Sequence, residues 1–153
     1  MGHLLVSSVS KDWAIVQITN AGVIKTLADK ISAESVGSIA LNVRQADATA
    51  LTTHGSIAGT LSGAPVLMQV PSSNIFEEVG QFHCETLHNE LEMGDCGAFV
   101  IDQDTKELYG YVIAGSRQGH FTTAFIMMAS DTMREVQREH GWLLFPRQRS
   151  NGE

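Results

Sequence analysis

Short apolar and β-branched stretches, broken every few residues by glycine or polar clusters, run through most of the chain. Asp12-Trp13-Ala14-Ile15-Val16-Gln17-Ile18 has the length and composition of a strand, and Asn20-Ala21-Gly22 behind it that of a turn. Residues 25–35 lose this pattern and become polar and Ala-rich, as a connection between two structural units would be. Apolar runs then recur at 38–43, 49–53, 56–60, 65–70, 75–87, 98–101, 108–114 and 122–127. Runs this short, with turn residues between them, predict an antiparallel barrel or sandwich. Gly55, Gly59, Gly63, Gly97, Gly110, Gly115 and Gly119 fall at or beside the ends of these runs, where the chain must bend.

Helical periodicity is confined to the end of the chain. Ser130-Asp131 is an N-cap candidate before 132–140, and Gly141 is placed to close the helix. Met133, Val136 and Gln137 define a narrow buried stripe, which leaves Arg134, Glu135, Arg138 and Glu139 for solvent. The helix is expected on the barrel surface. The segment 147–153 holds no core-forming residue and is expected to be mobile. The predicted organisation is a strand region at 1–24, a linker at 25–35, a β-barrel at 36–146 that includes a helix at 130–140, and a tail at 147–153.

Composition narrows the partners. The chain has 153 residues, 43% of them hydrophobic, enough to bury a core. Ten Lys and Arg against seventeen Asp and Glu give a formal charge of -7, which disfavours nucleic acid. No apolar run approaches the roughly 20 residues of a membrane helix. The first residues carry neither a basic start nor a sustained apolar stretch, so no signal peptide and a cytoplasmic location are expected. Two cysteines make no disulfide framework and suit a reducing compartment.

The segment most informative about chemistry is Met93-Gly94-Asp95-Cys96-Gly97-Ala98-Phe99-Val100-Ile101-Asp102. A cysteine between glycines, just before an apolar strand, can be held on a tight turn with its sulfur outward and backbone N–H groups converging beside it. That combination serves acyl transfer: sulfur attacks a carbonyl, and the N–H groups hold the oxyanion at ~3 kcal/mol per donor. His83-Cys84-Glu85-Thr86-Leu87-His88 suggests a metal site at first sight, but neighbours on a strand face opposite ways, so His83 and Cys84 do not easily share one ion. No metal or cofactor is expected.

Gly94-Asp95-Cys96-Gly97 resembles the nucleophile loop of chymotrypsin-fold peptidases, with cysteine in place of serine. The segments C-terminal to this loop resemble the same family: an apolar strand, the turn Gln103-Asp104-Thr105-Lys106, then Leu108-Tyr109-Gly110-Tyr111-Val112-Ile113-Ala114-Gly115, Thr123-Ala124-Phe125-Ile126 and the helix. The succession is most similar to intracellular trypsin-like domains of fungal proteins. The resemblance implies a mainly β fold, an antiparallel Greek-key β-barrel equivalent to the family's second barrel, with a C-terminal α-helix. It implies Cys96 as nucleophile and the N–H groups of Gly94 and Cys96 as oxyanion hole. It further implies Ile113, Ala114 and Gly115 as the segment that aligns substrate, and Glu90 at the base of the primary pocket, where a carboxylate favours a basic substrate side chain. Asp95 would support the loop, through an internal ion pair in the family.

Upstream, Asp12-Trp13-Ala14-Ile15 is similar to the strand that opens with the triad aspartate. The triad also needs a histidine, which the family places on its first barrel, before that aspartate. His3 is too near Asp12 to serve, and His54, His83, His88, His120 and His140 lie downstream, where the family's pattern has no triad histidine. Two readings remain open. In one, the chain is the C-terminal half of a trypsin-like endopeptidase-like protein, inactive by itself and completed by a first barrel from a longer chain. In the other, it is a catalytically dead barrel that binds protein or peptide partners.

Overall fold

The computed structural model describes residues 2–8, 13–22, 38–69, 74–85, 91–118 and 121–141. Strands β1 (Gly2–Ser8) and β2 (Trp13–Ile18) pair antiparallel as a separate two-stranded sheet. Then follow β3 (Ser38–Ile39), β4 (Ala46–Thr52), β5 (Gly55–Leu61), β6 (Val66–Gln69), β7 (Phe76–Glu85), β8 (Phe99–Asp102), β9 (Glu107–Gln118), β10 (Phe121–Met128) and the helix α1 (Ala129–His140). The eight runs predicted after residue 35 coincide with β3 to β10. The linker 25–35, Asp12, Glu90 and the tail 147–153 lie outside the described residues.

Six strands close into an antiparallel barrel in the order β4-β5-β7-β10-β9-β8, with β8 returning to β4. The chain passes from β7 across the barrel to β8, which pairs with β4 instead of its predecessor, and this jump makes the Greek key. The topology is compatible with a trypsin-like barrel. Closure gives each of these six strands a partner on both sides, although β8 covers only Leu108 to Tyr111 of β9. β3 adds to β9 in parallel, and β6 pairs with the outer end of β7.

Alternation along each strand fills the interior. Ala48 and Ala50 of β4, Ile57 and Leu61 of β5, Phe82 and Cys84 of β7, Val100 of β8 and Ala124 and Ile126 of β10 meet in one cluster. Small residues on β4 face large ones opposite, so the barrel closes tightly. Gly59, Gly110 and Gly115 lie inside strands, not at their ends as the turn reading expects. At Gly110 the reason is contact: a Cβ there would collide with the Met127 carbonyl on β10.

The helix begins earlier than predicted. β10 runs straight into α1 with no loop, so Met128 occupies the N-cap with no side-chain hydrogen bond, and Ser130 and Asp131 sit in the first turn. Asp131 still suits the positive end of the helix dipole and pairs with Arg134 at 2.8 Å. Gly141 closes the helix as expected, at φ 67°, its N–H donating to the Gln137 carbonyl at 2.9 Å. The buried face is Ala129, Ser130, Thr132, Glu135 and Val136 rather than a stripe through Met133 and Gln137. Glu135, expected in solvent, is buried because the Trp13 indole N–H of β2 donates to its carboxylate at 3.4 Å.

The β8–β9 hairpin, which flanks the cysteine turn, is locked at its far end by one carboxylate. Asp102 is 3% exposed, and its side chain accepts four hydrogen bonds. The N–H groups of Asp104 and Thr105 reach Oδ1 at 2.8 Å each, and Arg44 and Tyr109 reach Oδ2 at 2.9 Å each. Burial alone pushes an acid up, but these four donors outweigh it and hold Asp102 well below the usual carboxylate range. Burial and the bond to that anion push the Tyr109 phenol up to about 12. Arg44 also pairs with Glu107 at 2.8 Å, and the guanidinium, next to Asp102, is held more firmly protonated than usual.

Candidate active site

Two consecutive reverse turns join residue 91 to β8, and glycine makes each possible. In the turn 92–95, the Asp95 N–H donates to the Glu92 carbonyl at 3.2 Å, with Gly94 in third place at φ 112°. In the turn 95–98, the Ala98 N–H donates to the Asp95 carbonyl at 3.0 Å, with Gly97 in third place at φ 90°. A positive φ at that position is what type II geometry demands, and a residue with a Cβ resists it. Asp95 is buried and ties the two turns together: its carboxylate accepts the Glu92 N–H at 2.8 Å. That bond stands in place of the ion pair the resemblance implies; no ion pair of Asp95 is present among the described residues.

The second turn is stitched to the barrel. Gly97 N–H donates to the Val112 carbonyl at 2.7 Å, and Val112 N–H donates to the Ala98 carbonyl at 3.0 Å. Cys96 is thereby presented outward as an exposed free thiol, whereas Cys84 is a free thiol buried in the barrel. Among the described residues, the N–H groups of Gly94 and Cys96 have no hydrogen-bond acceptor. The Cys96 thiol donates to the Ile113 carbonyl at 3.6 Å.

Ile113 is where β9 and β10 lose step. Phe125 pairs with Ala114 and Ile126 with Val112, so Ile113 is the extra residue of a β-bulge. A bulge bends its strand and re-aims the groups beside it. The Ile113 side chain packs with Val79 and Met127, and its carbonyl meets the sulfur.

Two cavities meet at Cys96. One, of about 670 Å³, is walled by the loop 91–95 on one side and by Val112, Ala114 and Gly115 of β9 on the other, with Thr122 and Ala124 of β10 behind. The second is bounded by 94–98 and by the β4–β5 hairpin, including His54 at its tip. The structure therefore brings Cys96, Gly94, Ala114 and Gly115 to one place. Ile113 contributes its backbone rather than a side chain. Asp12 and Glu90 fall outside the described residues.

Several lining residues escape sequence reasoning. Thr122 and Arg117 read as ordinary strand residues in the chain, and only the register, in which they are direct partners, sets them on one face beside Gly115 and Ala124. His54 lies far from Cys96 in sequence and joins its cavity through the β4–β5 turn. Among the described residues the His54 ring forms no hydrogen bond, and its main-chain N–H is taken by Thr52 at 3.2 Å. His83 is engaged elsewhere, with Nδ1 3.0 Å from the Thr123 hydroxyl. No group of three or more His, Cys, Asp or Glu side chains poised for a metal ion is found among the described residues, and no described helix is long and apolar enough to cross a membrane.

The arrangement combines an exposed cysteine, two unengaged N–H groups on consecutive turns and a cavity beside them, with no histidine hydrogen-bonded to the cysteine among the described residues. Comparison of the chain with protein families, with curated proteins and with solved structures finds no match in any of the three.

Proposed function

We propose that this barrel is the nucleophile-bearing half of a chymotrypsin-like cysteine endopeptidase. The observation that carries the reading is the double glycine turn, which leaves the Cys96 sulfur exposed and the N–H groups of Gly94 and Cys96 without acceptors among the described residues. Cys96 attacks a peptide carbonyl, and the two N–H groups hold the resulting oxyanion. Gly115 and its neighbours on β9 pair with the substrate backbone. The general base is a histidine of a first barrel outside this chain, oriented by Asp12. Leu4 and Val16, opposite one another in the β1–β2 hairpin and both exposed, support a further element docking on that hairpin. A peptide-binding role without cleavage is the second reading, favoured by the absence, among the described residues, of any histidine hydrogen-bonded to Cys96.

An activated peptide p-nitrophenyl ester tests the proposal on the chain as it stands. Cys96 sulfur displaces p-nitrophenolate and forms a thioester; without a base to activate water, deacylation is slow. The expected result is one equivalent of p-nitrophenolate per chain, an acyl group on Cys96 by peptide mass mapping, and no adduct in Cys96→Ala. Acylation of lysines or Cys84 with Cys96 untouched would falsify the nucleophile assignment. Peptide binding without acylation would favour the second reading.

A further inference from the structure

Each of the six barrel strands is paired on both sides, but β6, outside the barrel, has a strand partner only in β7 among the described residues. Its other edge is a template for one more strand. The inward face of the β6–β7 ribbon is settled, with Val66 and Met68 packed against Val79, Ile113 and Met127. The outward face is open. Leu67 is 69% exposed and stands directly across from Glu78, and Phe76, 63% exposed, lies two residues before Glu78 on the same face. Two large apolar side chains thus flank one exposed carboxylate, and Glu78 forms no hydrogen bond or ion pair among the described residues. β6 itself carries no charge, no proline and no bulge, the usual devices that keep foreign strands from an edge.

Charge selects the occupant. No Lys or Arg stands between Arg44 and Lys106, a stretch that carries more than half of the seventeen Asp and Glu. β6 and β7 lie within it, so a second copy pairing edge to edge would bring the same acidic surface, whereas a basic segment meets a field of opposite sign. We infer that the open edge of β6 takes up an extended segment of a protein partner as an added strand, with a Lys or Arg and an apolar residue alternating on its outward face. The basic side chain lays its methylenes along Leu67 and brings its charge to Glu78, and the apolar residue two positions away extends the patch of Leu67 and Phe76. Neither cavity at Cys96 includes a residue of the ribbon among the described residues, so this surface is separate from the proposed nucleophile and does not rest on it. β6 offers only four residues, which makes the contact small and transient.

The test uses the full chain and a short fluorescein-labelled peptide, Lys-Thr-Leu-Thr-Lys-Thr, with fluorescence anisotropy as the reading. This peptide is expected to bind roughly tenfold more tightly than its counterpart with Glu in place of Lys. Leu67→Ser combined with Phe76→Ser should weaken binding roughly fivefold. Glu78→Lys should reverse the preference, so that the Glu peptide binds better than the Lys peptide, an outcome that a misfolded chain does not give. In an added strand, alternate residues direct their N–H groups to the edge. N-methylating either the threonines or the residues between them should therefore abolish binding in one of the two cases. Amide hydrogen exchange should slow at 66–69 when peptide is present and stay unchanged at 94–98. No binding of the Lys peptide, equal binding of both peptides, a Lys preference that survives Glu78→Lys, tolerance of both N-methylated peptides, or protection at 94–98 in place of 66–69 overturns the inference. So does a concentration-dependent dimer in sedimentation that Leu67→Asp abolishes, because it assigns the edge to a second copy. Each of these outcomes leaves the nucleophile reading of Cys96 untouched.

Discussion

The two ends of the β8–β9 hairpin treat their polar groups in opposite ways. At one end the Asp102 carboxylate is saturated by Asp104, Thr105, Arg44 and Tyr109. At the other, the Cys96 turn leaves two N–H groups without acceptors among the described residues, and the cavity beside it leaves the Thr122 hydroxyl without a partner. Both ends share the same strands, so the difference is not one of fold quality. A saturated network stabilises the chain and has nothing left for a ligand; unserved donors cost stability where they are buried and are free to bind where they are exposed. The first end belongs to architecture, and the second is where the proposed site lies.

The largest expected effect breaks the saturated end. Asp102→Ala strips four donors of their acceptor and leaves Arg44 only Glu107 and the Thr105 hydroxyl, which should cost about 3 kcal/mol in chemical denaturation. The same anion gives the fold a pH dependence of known sign. Its folded-state pKa is depressed, so its contribution is complete above the ordinary carboxylate range near ~4 and is lost as pH falls below it. Tyr109 behaves in the mirror sense: with its phenol raised to about 12, stability is complete below the ordinary value near ~10 and falls as pH rises between the two. Asp102→Asn should flatten the acid limb of a stability-against-pH curve. An acid limb as steep as in the parent chain places the titrating group elsewhere.

An intermediate effect separates backbone from side chain at the other end. Gly97 sits at φ 90°, and a Cβ added there would meet no atom within 4 Å, so space is available and only the dihedral resists substitution. Gly97→Ala should cost roughly 1–2 kcal/mol, the scale of a residue held in a sparsely populated backbone region. It should also slow Cys96 acylation by the peptide ester more than it slows iodoacetamide, because in the proposed site the turn aims an N–H group as well as the sulfur. Equal slowing of both reagents would mean that the turn only exposes the thiol.

The parts of this arrangement differ in how legible they are from the chain. Strand positions are legible because the barrel has one buried face and short turns, so runs such as 49–53 and 122–127 match β4 and β10 closely. The turn at Cys96 is legible because only glycine readily tolerates the positive φ that a sulfur on a tight turn requires. β1 carries no comparable mark: Leu4, Leu5 and Val6 are followed by polar residues, and their strand exists through pairing with β2. The helix start is misread because Ser130 and Asp131 are good caps locally, while β10 enters α1 directly and moves the boundary to Met128. Glu135 is misread because its partner, Trp13, is brought to it by tertiary packing. Thr122 and Arg117 become visible only through cross-strand register, a long-range property that no local spacing encodes.

The smallest expected effect is on stability, and its sign separates the two ends. If the Thr122 hydroxyl belonged to the architecture, Thr122→Val would destabilise the fold by the worth of a buried hydrogen bond, about 1 kcal/mol. With no partner to lose, the substitution removes a desolvated polar atom and adds an apolar methyl beside Val112 and Ala124, and both residues are β-branched and suit a strand equally. Thr122→Val should therefore leave stability unchanged or raise it by about 0.5–1 kcal/mol in urea denaturation at constant slope. Asp102→Ala and Thr122→Val then move in opposite directions although both remove buried oxygen from the same barrel. A loss of stability in Thr122→Val comparable to a broken hydrogen bond would place the hydroxyl with Asp102 on the structural side and erase the distinction between the two ends.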